Sequence, residues 1–259
     1  MAELAPRELL RTLNRGGLCT DGARLRWERQ VVMDMYDGNR IDYCPGPDWR
    51  GALPLSFFSS MAALAMAWRG ALPFHACAVA IDGRAILIAG ESGAGKSTLA
   101  AGLVVQGARF LADDLTVVAQ AGEHFIVEYG RPALRLHQET AHWVRHERLE
   151  PAPDDPRGKY LATIATPDSC TAVPLGSIIV LSHRERSSDF AARWADLAAM
   201  QFRPAWMRAL PHRAARERCL IALAQAVPVA HFAPITSYDA DSFAARARAV
   251  GDLIRKLVA

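Results

Sequence analysis

Residues 85–89, Ala-Ile-Leu-Ile-Ala, form an unbroken apolar run. A strand with one wet face alternates apolar and polar positions, so a run without alternation predicts a strand covered on both faces. Residues 76–81 predict a strand before it, and Asp82-Gly83-Arg84 reads as the hairpin turn between them. Beyond a glycine-rich stretch the period changes. Leu99, Leu103 and Val104 recur at helical spacing through residues 97–106, and Gly107 suits a helix end. Residues 109–112 predict another strand, ending at Asp113-Asp114. Residues 115–119 and 125–129 predict a hairpin around Ala121-Gly122, and residues 177–181 a further apolar strand.

The flanks are less regular. Residues 6–14 predict a short helix ending near Gly16-Gly17, and residues 25–35 have strand character. Asp37-Gly38-Asn39 is a turn signal, and Pro45-Gly46-Pro47 breaks the chain. Residues 55–68 predict a helix stopped by Gly70 and Pro73. Residues 137–148 predict a short helix, with a Pro/Asp-rich loop at 151–156. The Ala/Arg-rich remainder predicts two or three helices broken at Pro204, Pro211, Pro228 and Pro234. The expected division is an accessory segment, 1–70, packed on a main domain, 71–259.

Composition narrows the class. Apolar residues at 51% and charged residues at 22% predict a packed core and exclude wholesale disorder. A formal charge of +3 with no basic run gives no reason to expect a nucleic-acid partner. Cys19, Cys44, Cys77, Cys170 and Cys219 show no CxxC spacing, so neither a disulfide framework nor a zinc site follows. Residues 52–68 lack charge but fall short of the roughly 20 residues of a membrane span and carry Pro54. With no basic-then-apolar N-terminus, the expectation is a cytoplasmic protein with no membrane partner.

The chemistry begins at the glycine-rich stretch Gly90-Glu91-Ser92-Gly93-Ala94-Gly95-Lys96-Ser97-Thr98, which satisfies G-x-x-x-x-G-K-[ST]. Glycines let successive backbone N–H groups turn inward toward phosphate oxygens, and the following helix adds its positive end. Lys96 supplies a cation and Ser97 a hydroxyl for Mg²⁺. The predicted strand before it and helix after it are the context this P-loop pattern needs. ATP and Mg²⁺ are therefore the expected cofactors.

Asp113-Asp114 lies at the end of the strand after that helix, so the pair should face the phosphates. One carboxylate of the pair would hold the metal, and the other would accept a proton from an attacking hydroxyl. On periodicity alone His75 has no assigned role. His142 and His146 are spaced for one helix face, and a solvated face is favoured over a metal site.

Three motifs in register carry a resemblance. His75-Ala76-Cys77-Ala78-Val79, the 90–98 loop, and Ala112-Asp113-Asp114 together resemble the catalytic domain of the HPr kinase/phosphorylase family over roughly residues 70–130. The resemblance implies an α/β fold with a P-loop-containing mixed sheet of the HPr kinase/phosphoenolpyruvate carboxykinase type. It also implies a serine kinase acting on a peptide or small protein, and a homo-oligomer. By that resemblance Asp114 would be the base at the substrate hydroxyl, Asp113 would sit by the metal, and His75 would support the Asp pair or the transferred phosphoryl group. Here Thr98 stands where the family has Glu, and residues 128–135 stand near the place of its glycine-rich signature. Shortened relatives that begin H-A-x-A-V, some of which phosphorylate lasso-peptide precursors, look similar. Arg131, Arg135 and Lys159 are candidate phosphate or substrate contacts. The competing expectations are a small-molecule kinase on the same scaffold and a nucleotide-binding module without transfer activity.

Overall fold

The computed structural model describes residues 4–51, 55–152, 155, 157–165, 172–183, 189–234 and 240–258. It begins with a five-stranded antiparallel meander: β1 (Arg11–Leu13), β2 (Gly16–Cys19), β3 (Gly22–Trp27), β4 (Val31–Tyr36) and β5 (Arg40–Pro45). Helix α1 (Leu55–Trp68) follows. The central sheet holds β6 (Leu72–Phe74), β7 (Cys77–Ile81), β8 (Arg84–Gly90), β9 (Arg109–Ala112), β10 (Thr116–Ala121), β11 (His124–Val127), β15 (Val173–Leu181) and β16 (Val229–Phe232). Helix α2 (Lys96–Val105) connects β8 to β9. A second sheet has β14 (Tyr160–Thr163) between β12 (Ala133–Leu136) and β13 (Arg148–Pro151), with α3 (Gln138–Ala141) after β12. The C-terminal part carries α4 (Phe190–Met200), α5 (Pro204–Ala209), α6 (Arg213–Ala226) and α7 (Ala240–Val258).

The central sheet runs β6-β10-β11-β15-β8-β7-β9, with β16 also paired to β15. β8 and β15 are parallel, whereas β7 is antiparallel to both β8 and β9. The apolar continuity of β7 and β8 has a plain cause, since both faces are covered. Cys77, Val79, Ile81, Ile86 and Ile88 face α2 and α7. Their alternates Ala78, Ala80, Ala85, Leu87 and Ala89 face Leu197 of α4 and Leu220 and Leu223 of α6. This is the period-two division a strand imposes.

The meander closes a third core with α1, and Trp206, Met207 and Leu210 from the α5 region pack into it. The buried Arg216 guanidinium is held there by the carbonyls of Met207 and Leu210, at 2.8 and 3.1 Å. The N-terminal core is therefore completed by chain from the far end of the sequence. Among the described residues, no helix is long and apolar enough to cross a membrane. The charge-free stretch is α1, which buries Phe57, Met61 and Leu64 against the meander.

Several expectations change. Residues 6–14 form no helix: 4–9 lack regular structure and β1 pairs with β2, because Leu13 is drawn into the meander core. The strand expected at 25–35 is two strands, β3 and β4, with a turn at 28–30. The helix expected at 137–148 stops at Ala141, and residues 148–151 pair with β14 instead. His146 is then off the helix, so the predicted His142/His146 face does not form. Among the described residues the C-terminal part has four helices and an added strand, β16, rather than two or three helices. Within the 151–156 loop, Pro153, Asp154 and Pro156 lie outside the described residues, as does Cys170.

Candidate active site

The site forms at one end of the central sheet. β8 ends at Gly90 and β9 at Ala112, running in the same direction with β7 between them. Three loops thus meet: the glycine-rich loop after β8, the Asp pair after β9, and His75 just ahead of β7. The Asp pair faces the loop as expected, but β8 and β9 are not neighbours, and the start of β7 lies between.

The loop is shaped by its backbone. Gly90 has φ +148°, and a Cβ there would lie 2.7 Å from the Leu181 carbonyl oxygen on parallel β15, so a side chain is excluded. Gly95 caps α2 with φ +91°. The Lys96 ammonium donates to the carbonyls of Gly90 and Glu91, both at 3.0 Å. Burial holds it below the usual lysine value.

Asp113 is held by four donors. Its Oδ1 accepts from Ser97 Oγ at 3.0 Å, Cys77 Sγ at 2.6 Å and the Asp114 N–H at 2.9 Å. Its Oδ2 accepts from the Arg135 N–H at 2.7 Å. Burial, then the neighbouring carboxylate, pushes the Cys77 thiol far above its ordinary value, so it stays protonated and donates.

Asp114 is held differently. It has φ +69°, and the Leu115 N–H reaches across it to the Asp113 carbonyl at 2.9 Å, a γ-turn of the strained hand. The turn leaves its carboxylate with looser neighbours: His75 Nδ1 at 3.4 Å from Oδ1 and Arg135 Nη2 at 3.8 Å from Oδ2. His75 Nδ1 also lies 3.1 Å from the Asp114 carbonyl oxygen, to which it donates. Burial first, then the Lys96 charge, lowers the histidine below its ordinary value, so the ring is neutral near pH 7.

A cleft of about 280 Å³ collects these groups. His75, Lys96, Ser97, Asp113 and Asp114 line it, and so do Arg135 and Lys159. Of the loop, Ser92, Gly93, Gly95 and Thr98 also reach it. Arg131 lies elsewhere, in an adjoining pocket. Four residues were not foreseen from the sequence. Cys77 read as an ordinary buried thiol, and His137, Asp155 and Arg157 carry no motif. Arg157 Nη2 donates to Ser92 Oγ at 2.8 Å, joining Arg157 to the glycine-rich loop. Arg135 Nε is buried without a hydrogen bond among the described residues; its nearest carboxylate oxygen, on Asp155, is 3.8 Å away.

Residues 69–139 match the family model of the HPr Serine kinase C-terminal domain. No curated protein matches. Among solved structures, an Hpr(Ser) kinase/phosphatase from Coxiella burnetii is 18% identical, over 44% of this chain and 68% of that one, with a TM-score of 0.31. That structural likeness is too slight to carry weight. The matched segment runs from the end of α1 through the glycine-rich loop, the Asp pair and Arg135 into α3, and on it the chain is HPr kinase-like.

Proposed function

We propose that the protein is a Mg²⁺–ATP-dependent kinase that phosphorylates a serine hydroxyl of a peptide or small protein. The observation that carries this reading is the contrast within the Asp pair. Asp113 spends its oxygens on four donors, while Asp114, 3.4 Å from a neutral imidazole, keeps a carboxylate open to the cleft. Two adjacent acids held so differently suit two tasks.

Glycine-rich backbone, the α2 N-terminus and Lys96 bind the phosphates. Ser97 and Asp113, hydrogen-bonded to each other at 3.0 Å, would hold Mg²⁺ once the hydroxyl proton turns away from the carboxylate; the ion takes few protein ligands and keeps water and phosphate oxygens. Once bound, the ion supplies charge neutralisation on the phosphates. Arg135, with Nε unsatisfied, and Lys159 add cations to the same cleft. Asp114 accepts the serine proton as the serine oxygen bonds to the γ-phosphorus. The bond from that phosphorus to its bridging oxygen breaks, and ADP leaves. His75 orients Asp114 through the turn carbonyl.

Residues 71–259 form the kinase domain in this reading, on the phosphoenolpyruvate carboxykinase-type scaffold, with residues 1–70 as its accessory. The start His75-Ala76-Cys77-Ala78-Val79 favours a lasso-peptide precursor as acceptor. The test is incubation of the protein with ATP, Mg²⁺ and serine peptides, including lasso precursors, with mass spectrometry for the added phosphate. Asp114→Asn should lose transfer and keep nucleotide binding. ATP bound but never transferred would leave only a nucleotide-binding module, and transfer to metabolites alone would make it a small-molecule kinase.

A further inference from the structure

A second pocket, about 310 Å³, lies on the other side of the Asp pair. It shares only Asp113, Asp114 and Arg135 with the phosphate cleft. Asp113, Asp114 and Arg135 therefore lie between the candidate phosphate-binding groups on one side and this pocket on the other. The character of the second side is opposite. Phe58, Ala62 and Met66 of α1 face Leu115 and Val117, and Leu161 of β14 contributes. Beyond the Asp pair and Arg135, Glu128 and Arg131 add one charge of each sign.

In phosphoryl transfer the attacking and leaving oxygens stand roughly in line through phosphorus. With nucleotide phosphates on the Lys96 side, an acceptor hydroxyl must come to Asp114 from the opposite side, which is where this pocket opens. A space this size, at the small end of ligand sites, is far more than a hydroxymethyl group needs. The walls beyond the carboxylates are mainly hydrocarbon, from Phe58, Ala62, Met66, Leu115, Val117 and Leu161, so the remainder of the space suits apolar groups. Phe58 is 53% exposed, so a chain can run on past the pocket. Helix α1 lies wholly outside the family-matched segment. The accessory segment thus supplies a wall of the catalytic centre.

We infer that this pocket is the acceptor subsite, and that it selects a serine flanked by a large apolar side chain, which packs against Phe58, Ala62 and Met66 while the hydroxyl meets Asp114. The inference rests on the kinase reading above. It makes α1 a specificity-determining element and assigns Phe58, Ala62 and Met66 a role in choosing the acceptor.

The test is a positional library of blocked serine peptides, each flanking position varied among leucine, phenylalanine, glutamine, glutamate and lysine. Transfer of phosphate from ATP is followed with wild type, Phe58→Ala and Ala62→Trp. At one flanking position, leucine or phenylalanine should exceed glutamine in kcat/KM by about tenfold, the scale of a buried apolar group. Phe58→Ala removes an exposed ring and should shrink that preference through KM. Ala62→Trp fills the pocket and should abolish use of the apolar-flanked peptides. Both variants should bind a fluorescent ATP analogue as wild type does, which also reports that they fold. Transfer without an apolar preference, or a preference that both variants retain, overturns the inference and leaves the kinase reading standing. Failure to phosphorylate any peptide while the analogue binds overturns both.

Discussion

Cys77 Sγ lies 2.6 Å from Asp113 Oδ1, which joins the first residue of β7 to the carboxylate after β9. The thiol is completely buried and protonated, so it is a fixed donor and not a nucleophile. Cys77→Val removes one of four donors to Asp113 and should lower kcat by about five- to tenfold, the worth of roughly 1 kcal/mol. Cys77→Ser, which keeps a donor, should recover most of the rate. Steady-state kinetics of the two variants against Mg²⁺ concentration checks this, and equal losses would make the thiol a packing group only.

Lys96 makes two charge-bearing hydrogen bonds to the loop carbonyls. In the proposed kinase those donors are the ones offered to phosphate oxygens. Lys96→Ala should weaken ATP binding by about a hundredfold, from two charged contacts worth roughly 1.5 kcal/mol each. Isothermal titration with ATP measures it. Lys96→Arg should not rescue, because a planar fork does not fit the space of an ammonium.

Gly90→Ala is expected to impair the same measurement without touching any charge. The added Cβ meets the Leu181 carbonyl at 2.7 Å, so either the loop or β15 must move. The loss should appear in ATP affinity and in thermal stability together, which a melting curve separates from the Lys96 variant.

His75 should make folding weakly acid-sensitive. Its value in the folded state is below the ordinary 6.5. The unfolded chain therefore takes up the proton first as pH falls, and stability drops through the window below 6.5. Above it the effect is absent. With 40% of the side chain exposed, solvent keeps the effect small. Urea midpoints between pH 5 and 8 should show a shallower acid-side slope for His75→Asn; an unchanged slope would assign the effect to other groups.

The meander carries its own prediction. Asp34 is fully buried and accepts from Arg24 Nε at 2.7 Å and Nη2 at 2.6 Å. Asp34→Ala strands a guanidinium in the sheet and should destabilise by about 3 kcal/mol. Replacing both partners, Asp34→Leu with Arg24→Met, should recover much of that loss in urea denaturation.

The legible parts of this chain are those where local pattern and tertiary setting agree. Residues 109–112 form the strand their sequence predicts, and Leu99, Leu103 and Val104 lie on α2 as their spacing requires. Residues 137–148 show the opposite case. Ala141 and Val144 do face the core, as on a helix, but the pairing of β13 with β14 takes the chain out of helical form after Ala141. Residues 6–14 fail for the same reason, since β1 gains a partner strand that no local window contains.

Lys96, Ser97, Asp113 and Asp114 could be named as candidates from the sequence because a glycine-rich loop and an acidic pair stand at short spacing around one strand–loop–helix unit, whereas His75 entered only through the family resemblance. The asymmetry of the Asp pair could not. It depends on a thiol 36 positions away, on the backbone N–H of Arg135, and on a positive φ at Asp114. The apolar pocket beyond the pair draws its walls from α1, β10 and β14. A motif is a local solution to a local problem and survives in one dimension. A pocket or a donor set is made by strands that meet only when the sheet is assembled, so only the folded chain decides it.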